Sequence, residues 1–242
     1  MITMLGTLMR REHSSFNTRR MTVTLALKLA ALAPIVLFLS CLSSHSLLVA
    51  AERPVQIVVL GDSIASGFGL LFSPGLPERL EQVLKQKGYA VSVVNAGVGG
   101  DTASDGLRRL DQSVPKGADA LIIELGGNDA ERKVDPNVTR AALAAILQRM
   151  KERHIQVLLT GMIAPADKGE AYVRAFAAIY PSLASTYSFI LYPDILDGVS
   201  GNSRLIQLDG EHPNADGVNV IVERILPQVE QLIARVRAAR RS

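Results

Sequence analysis

The sequence predicts an α/β protein, a three-layer α/β/α arrangement in which a parallel sheet is covered by helices on both faces. From Val55 onward, short β-branched runs alternate with longer amphipathic segments, the pattern of successive βαβ units. Each run is apolar throughout rather than every second residue, as a strand must be when both faces of its sheet are buried. Glycines at 88, 117 and 161 punctuate the junctions.

The strand candidates are Val55–Leu60 (VQIVVL), Val91–Asn95 (VSVVN), Ala120–Leu125 (ALIIEL), Ile155–Thr160 (IQVLLT) and Phe189–Tyr192 (FILY). Between them, helices are expected near Pro77–Lys87, Thr102–Gln112, Asn137–Arg153 and Tyr172–Thr186. A last one runs from about Asn214 to Arg237, and the basic tail Arg235–Arg241 reads as a solvated, frayed helix end. No internal repeat breaks the pattern, so residues 52–242 make one domain.

Residues 1–51 have a different composition. A basic segment precedes the apolar run Leu29–Leu42 (LAALAPIVLFLSCL), and Val49 and Ala51 are small residues placed for cleavage before Glu52. This is a secretory signal layout, predicting a periplasmic or secreted protein; the uncharged stretch 29–51 offers a membrane anchor as the alternative. Met21 is a second possible start. Five of the 26 basic residues and one of the 23 acidic ones lie in this leader, leaving 21 and 22, a net charge of −1, in residues 52–242. The pI of about 9.1 is therefore a property of the leader. A basic nucleic-acid-binding face is excluded as the reading, and one Cys rules out a disulfide framework. Any membrane contact is expected only through an uncleaved leader, and a monomer is expected.

In an open α/β sheet, ligands bind at the carboxyl ends of the strands. Here those ends are polar: Gly61-Asp62-Ser63, Asn95 to Asp101 (NAGVGGD), Gly126-Gly127-Asn128-Asp129, and Asp209 to Asn214 (DGEHPN) before the last helix. Only His154 and His212 remain outside the leader. His154 closes a helix and reads as structural. His212 lies three residues after Asp209, a spacing that lets a carboxylate hold Nδ1–H and leaves Nε2 free as base; the same residues also read as a helix start capped by Asn214. Ser63 follows the first strand where a sharp turn exposes its hydroxyl, and reads equally as a cap or turn residue. A hydroxyl needs a base, and a developing oxyanion needs donors. Gly99-Gly100 and the Asn128 amide are placed to supply them.

Taken in order, GDSIASGFG, NAGVGGDT, LGGND and DGEHPN resemble the successive blocks of the SGNH or GDSL hydrolases, over nearly all of residues 55–237. The runs at Glu124–Asp129 and Asn95–Leu110 are similar to those of its bacterial acyl-CoA thioesterase I, arylesterase and lysophospholipase group. The resemblance implies a flavodoxin-like five-stranded sheet of order 2-1-3-4-5. It also implies Ser63 as nucleophile, Asp209 and His212 as the rest of a triad, an oxyanion hole from the Ser63 and Gly100 amides and Asn128, and a periplasmic location. The implied activity is serine-dependent hydrolysis of esters and thioesters: aryl esters, short to medium acyl esters, acyl-CoA or lysophospholipid. No cofactor or metal is implied. The chain departs from the family in an apolar pair, Leu71-Phe72, near where the family lines its acyl site, and in having no Trp. Substrate-contacting residues are not identified, although Val199–Gln207 and Ala164–Gly169 are candidate walls. Two other classes compete. Asp62, Asp101 and Asp129 all follow strands and suggest metal-assisted phosphoryl chemistry; a non-catalytic binding module would retain the fold without the activated serine.

Overall fold

Five runs rich in Val, Ile and Leu form the strands of one parallel sheet: β1 Val55–Gly61, β2 Val91–Gly97, β3 Ala120–Glu124, β4 Gln156–Thr160 and β5 Ile190–Tyr192. Their order is β2-β1-β3-β4-β5, as expected. The computed structural model describes residues 53–241, so the leader and its export signal lie outside the described residues. The helices are α1 Ser63–Ser66, α2 Leu76–Gln86, α3 Ala103–Arg108, α4 Leu110–Ser113, α5 Gly127–Glu131, α6 Pro136–Glu152, α7 Glu170–Ala177, α8 Ile179–Tyr187 and α9 Ala215–Ala239.

The chain crosses from β1 to β2 in one direction and returns past β1 to β3, β4 and β5. Right-handed crossovers then force α2 onto one face of the sheet and α3, α6 and α8 onto the other. Helix α9 packs beside α2 and against β4 and β5, completing the first layer, while α6 sits between α3 and α8. Central β3 is buried at every position, which is why its sequence shows no alternation.

Two expected helices are each broken in two. The first breaks at Arg109 (φ −98°, ψ 7°), whose guanidinium reaches the carbonyls of Gly61 and Ala96 and the Asp101 carboxylate. The second breaks at Ala178, because Pro181 has no N–H to return to the carbonyl of Ala177. The basic tail is docked rather than frayed. Arg240 donates to the carbonyls of Arg53 and Pro54 and to Asp119, and Arg235 donates to the Ser188 carbonyl.

Candidate active site

The register pairs Gly61 of β1 with Gly97 of β2 and Glu124 of β3, so the three polar turns leave the sheet side by side. Gly61 must be glycine here. A Cβ would lie 2.5 Å from both Glu124 Oε2 and the Ala65 methyl. After it the chain turns sharply into α1, a single helical turn, where Asp62 caps by accepting from the Ile64 amide at 3.2 Å. Ser63 is the first helical residue.

The Ser63 hydroxyl lies 2.9 Å from His212 Nε2, and His212 Nδ1 lies 2.8 Å from Asp209 Oδ2. The carboxylate fixes the tautomer: Nδ1 carries the proton and Nε2 accepts from Ser63. Ser63 Oγ is also 3.3 Å from Asp62 Oδ1. A hydroxyl has one proton to give, and the shorter, better-matched acceptor is the imidazole. Asp209 accepts from the amides of Glu211 and His212 as well as from the ring, which together lower its pKa to about 2. It therefore stays a carboxylate under all working conditions.

The loop that carries His212 is held from both sides. Gln207 donates to the carbonyls of Phe68 and Pro213 and takes the His212 carbonyl on its amide. Asn214 caps α9 through the amides of Asp216 and Gly217, so the helix-start reading and the approach of His212 to Ser63 hold together. The Phe68 ring rests on the imidazole, centroids 4.7 Å apart.

Asn128 enters from α5. Its Nδ2 donates to Asp62 Oδ2 at 3.0 Å and to the Asp101 carbonyl at 3.1 Å. Gly100 has φ +85°, a left-handed conformation that favours glycine. Its carbonyl accepts from Arg132, while its N–H donates to no carbonyl among the described residues. The four polar segments thus converge on one edge. His154 is elsewhere, in a left-handed turn (φ 56°) that closes α6.

The three aspartates that suggested a metal have separate partners. Asp101 pairs with Arg109, Asp62 with Asn128 and the α1 amides, and Asp129 with Thr139 and the Ala103 amide. Among the described residues no group of three or more His, Cys, Asp or Glu is arranged to hold a metal ion.

Sequence reasoning missed the layer beneath. Asp62 is buried, and burial pushes its carboxyl up against the Ile64 amide and Asn128 amide that stabilise its charge. Glu124 is fully buried; burial first, and the adjacent Asp62 charge second, push it well above the ordinary range. Of the large exposed apolar side chains among the described residues, Phe68, Leu71, Phe72, Val98, Ile163 and Leu208 lie in segments that follow the carboxyl ends of strands or precede α9, and Val138 lies on α6.

A doubly wound sheet with a hydroxyl, an imidazole and a carboxylate in line at its carboxyl edge is the arrangement of an α/β hydrolytic enzyme of the serine type. The GDSL-like Lipase/Acylhydrolase family matches over residues 59–220. The chain is 35% identical over 178 residues to Esterase TesA of Pseudomonas aeruginosa, covering 73% of this chain and 89% of that protein. It is likewise 35% identical over 181 residues to Thioesterase 1/protease 1/lysophospholipase L1 of Escherichia coli, covering 73% and 84%. The crystal structure of AlinE4, an SGNH-hydrolase family esterase, superposes with a TM-score of 0.62 at 38% identity, over 74% of this chain and 96% of that one. The chain belongs to the SGNH or GDSL hydrolase family and is an ester hydrolase.

Proposed function

We propose that the protein hydrolyses carboxylic esters, and thioesters by the same geometry, through an acyl-enzyme on Ser63. The observation that carries this reading is the line Ser63 Oγ, His212 Nε2, His212 Nδ1, Asp209, with contacts of 2.9 and 2.8 Å. Ser63 Oγ attacks the acyl carbonyl and gives its proton to His212. The imidazolium, held by Asp209, returns that proton to the departing alkoxide or thiolate. Water then attacks the acyl-serine and gives a proton to His212, which passes it to the departing Ser63 Oγ as the acid is released. The Ser63 and Gly100 amides and Asn128 Nδ2 receive the oxyanion in both steps.

The apolar side chains of the carboxyl edge and the Phe68 ring on His212 support an aryl or short to medium acyl group. Relatives named as a thioesterase, a lysophospholipase and an arylesterase support acyl-CoA and lysophospholipid as further members of the substrate range. The leader supports a periplasmic or secreted location, with residues 29–51 as an anchor if uncleaved.

The test is Ser63→Ala, assayed on aryl esters of increasing acyl length and labelled with a fluorophosphonate. The substitution removes one hydroxyl without opening a sizeable cavity, so the fold persists. Activity falls about 10³-fold or more and labelling is lost; activity within about tenfold of the unmutated protein overturns the reading.

A further inference from the structure

Glu124 is the last residue of β3 and is completely buried beneath the Ser63 turn. Its Oε2 accepts from the amides of Asp62 and Ala65, each at 3.1 Å, so this carboxyl fixes both ends of the turn that presents the nucleophile. Its other oxygen, Oε1, is buried with no hydrogen-bond partner. A bare, buried carboxylate oxygen is costly to maintain. The Asp62 residue, whose amide is held by Glu124 Oε2, has a donor on each of its own carboxyl oxygens: Ile64 N–H on Oδ1 and Asn128 Nδ2 on Oδ2.

Two adjacent buried carboxyl groups cannot both ionise, and one proton settles on the pair. The donors around Asp62 select its charged form, whereas Glu124 Oε1 has an oxygen to protonate and a carboxylate neighbour to donate to. We propose that Glu124 is a positioning residue held as the neutral acid, donating Oε1–H to Asp62 and thereby holding Asp62 where it aligns both the Ser63 turn and the Asn128 amide. The role is distinct from the triad and rests on the ester-hydrolase reading above. Burial, with the Asp62 charge behind it, raises the Glu124 pKa in the required direction.

The proton also matters to the chemistry. Negative charge develops at the oxyanion in the transition state, next to Asn128. An ionised Glu124 would put a second negative charge under that position. A neutral Glu124 leaves one, already shared among the donors of Asp62. The ester ground state is uncharged there, so the effect falls on kcat and spares KM. The other charged or titratable groups around the pair are Asp129 and Tyr180, together with Arg109, which donates to the Gly61 carbonyl and pairs with Asp101. Ser63 and His212 lie above.

Two variants and one spectrum test this. Glu124→Gln keeps a carbonyl for the two amides and a permanent donor for Asp62, and reproduces the neutral acid in shape and charge. Its kcat stays within about threefold of the unmutated protein, while Glu124→Ala loses at least about tenfold in kcat with KM within about twofold. The infrared spectrum of the unmutated protein at neutral pH shows the carbonyl stretch of a protonated carboxylic acid, and Glu124→Gln removes it. Glu124→Gln as damaged as Glu124→Ala overturns the proposal. So does an unaffected Glu124→Ala, a missing acid band, or a band that survives in Glu124→Gln, which would place the proton on Asp62. If Glu124→Ala does not fold, Glu124→Gln and the spectrum decide. The spectrum needs no activity, and the catalytic reading stands or falls separately with Ser63→Ala.

Discussion

Asn128 and Asp62 are bonded across the floor of the site, Asn128 Nδ2 to Asp62 Oδ2 at 3.0 Å, and the second hydrogen of the same amide reaches the Asp101 carbonyl at 3.1 Å. Both hydrogens of the amide proposed to receive the oxyanion are thus engaged at rest, and one of them must be shared with or released by Asp62 or the Asp101 carbonyl when that charge forms.

Asn128→Ala removes the amide without touching the triad. Since the donor acts mainly on the tetrahedral oxyanion, kcat falls by about 10² to 10³ and KM changes little. Steady-state kinetics on an aryl ester check this; a rise in KM alone would show that Asn128 holds the substrate in its ground state.

Arg109 joins the carboxyl ends of two strands to the loop that carries Gly100 and Asp101. Its guanidinium donates to Gly61 O, Ala96 O, Ser113 Oγ and the Asp101 carboxylate, and it is largely shielded from solvent. Arg109→Ala leaves these acceptors unpaired and lowers unfolding stability by about 2–3 kcal/mol in urea titrations. Arg109→Lys recovers little, because a point charge cannot reproduce a planar fork that spans three segments.

Arg109 also shows where the sequence stopped being legible. The strands could be read because a strand buried on both faces has to be apolar, and Ser63, Asn128 and His212 because polar turns at strand ends stand out against such runs. Arg109 sits in a helical stretch beside Arg108 and looks like one more solvated charge; only the approach of β1 and β2 turns it inward. Glu124 ends an apolar strand, and its burial depends on β1 pairing in a register that brings Gly61 opposite. Asp62 reads from sequence as a turn residue and a candidate metal ligand, and its burial and its bond to Asn128 are not visible there. Such roles arise from the pairing of distant segments, which local pattern does not encode.

Leu71 and Phe72 are 85% and 100% exposed in the segment between α1 and α2. They support no core, so Leu71→Ser with Phe72→Ser leaves the melting temperature within about 2 °C. If they cover an acyl chain, kcat/KM for an octanoyl aryl ester falls about tenfold while that for the acetyl ester stays within about twofold, as burial of a few methylenes requires. Equal losses on both esters would show that the pair does not touch the chain.

The Asp209 carboxylate, lowered to about 2 by the amides of Glu211 and His212 and then by the imidazole, decides how the site responds to acid. Its folded value lies below the ordinary carboxylate value of about 3.9. The stability it lends the loop is therefore fully present above about pH 3.9 and lost only as the pH falls toward 2. Asp209 stays charged over the whole range in which a hydrolase is assayed, so its own protonation plays no part in the activity profile there. Asp209→Asn removes the charge that stabilises the imidazolium and frees the ring tautomer, lowering kcat by up to about 10⁴. His154→Ala, on the far end of α6, leaves kcat where it was. Steady-state kinetics of these three proteins on a soluble aryl ester make the comparison. A kcat unchanged in Asp209→Asn, or one abolished in His154→Ala, would mean that the acid and base of this site are not Asp209 and His212.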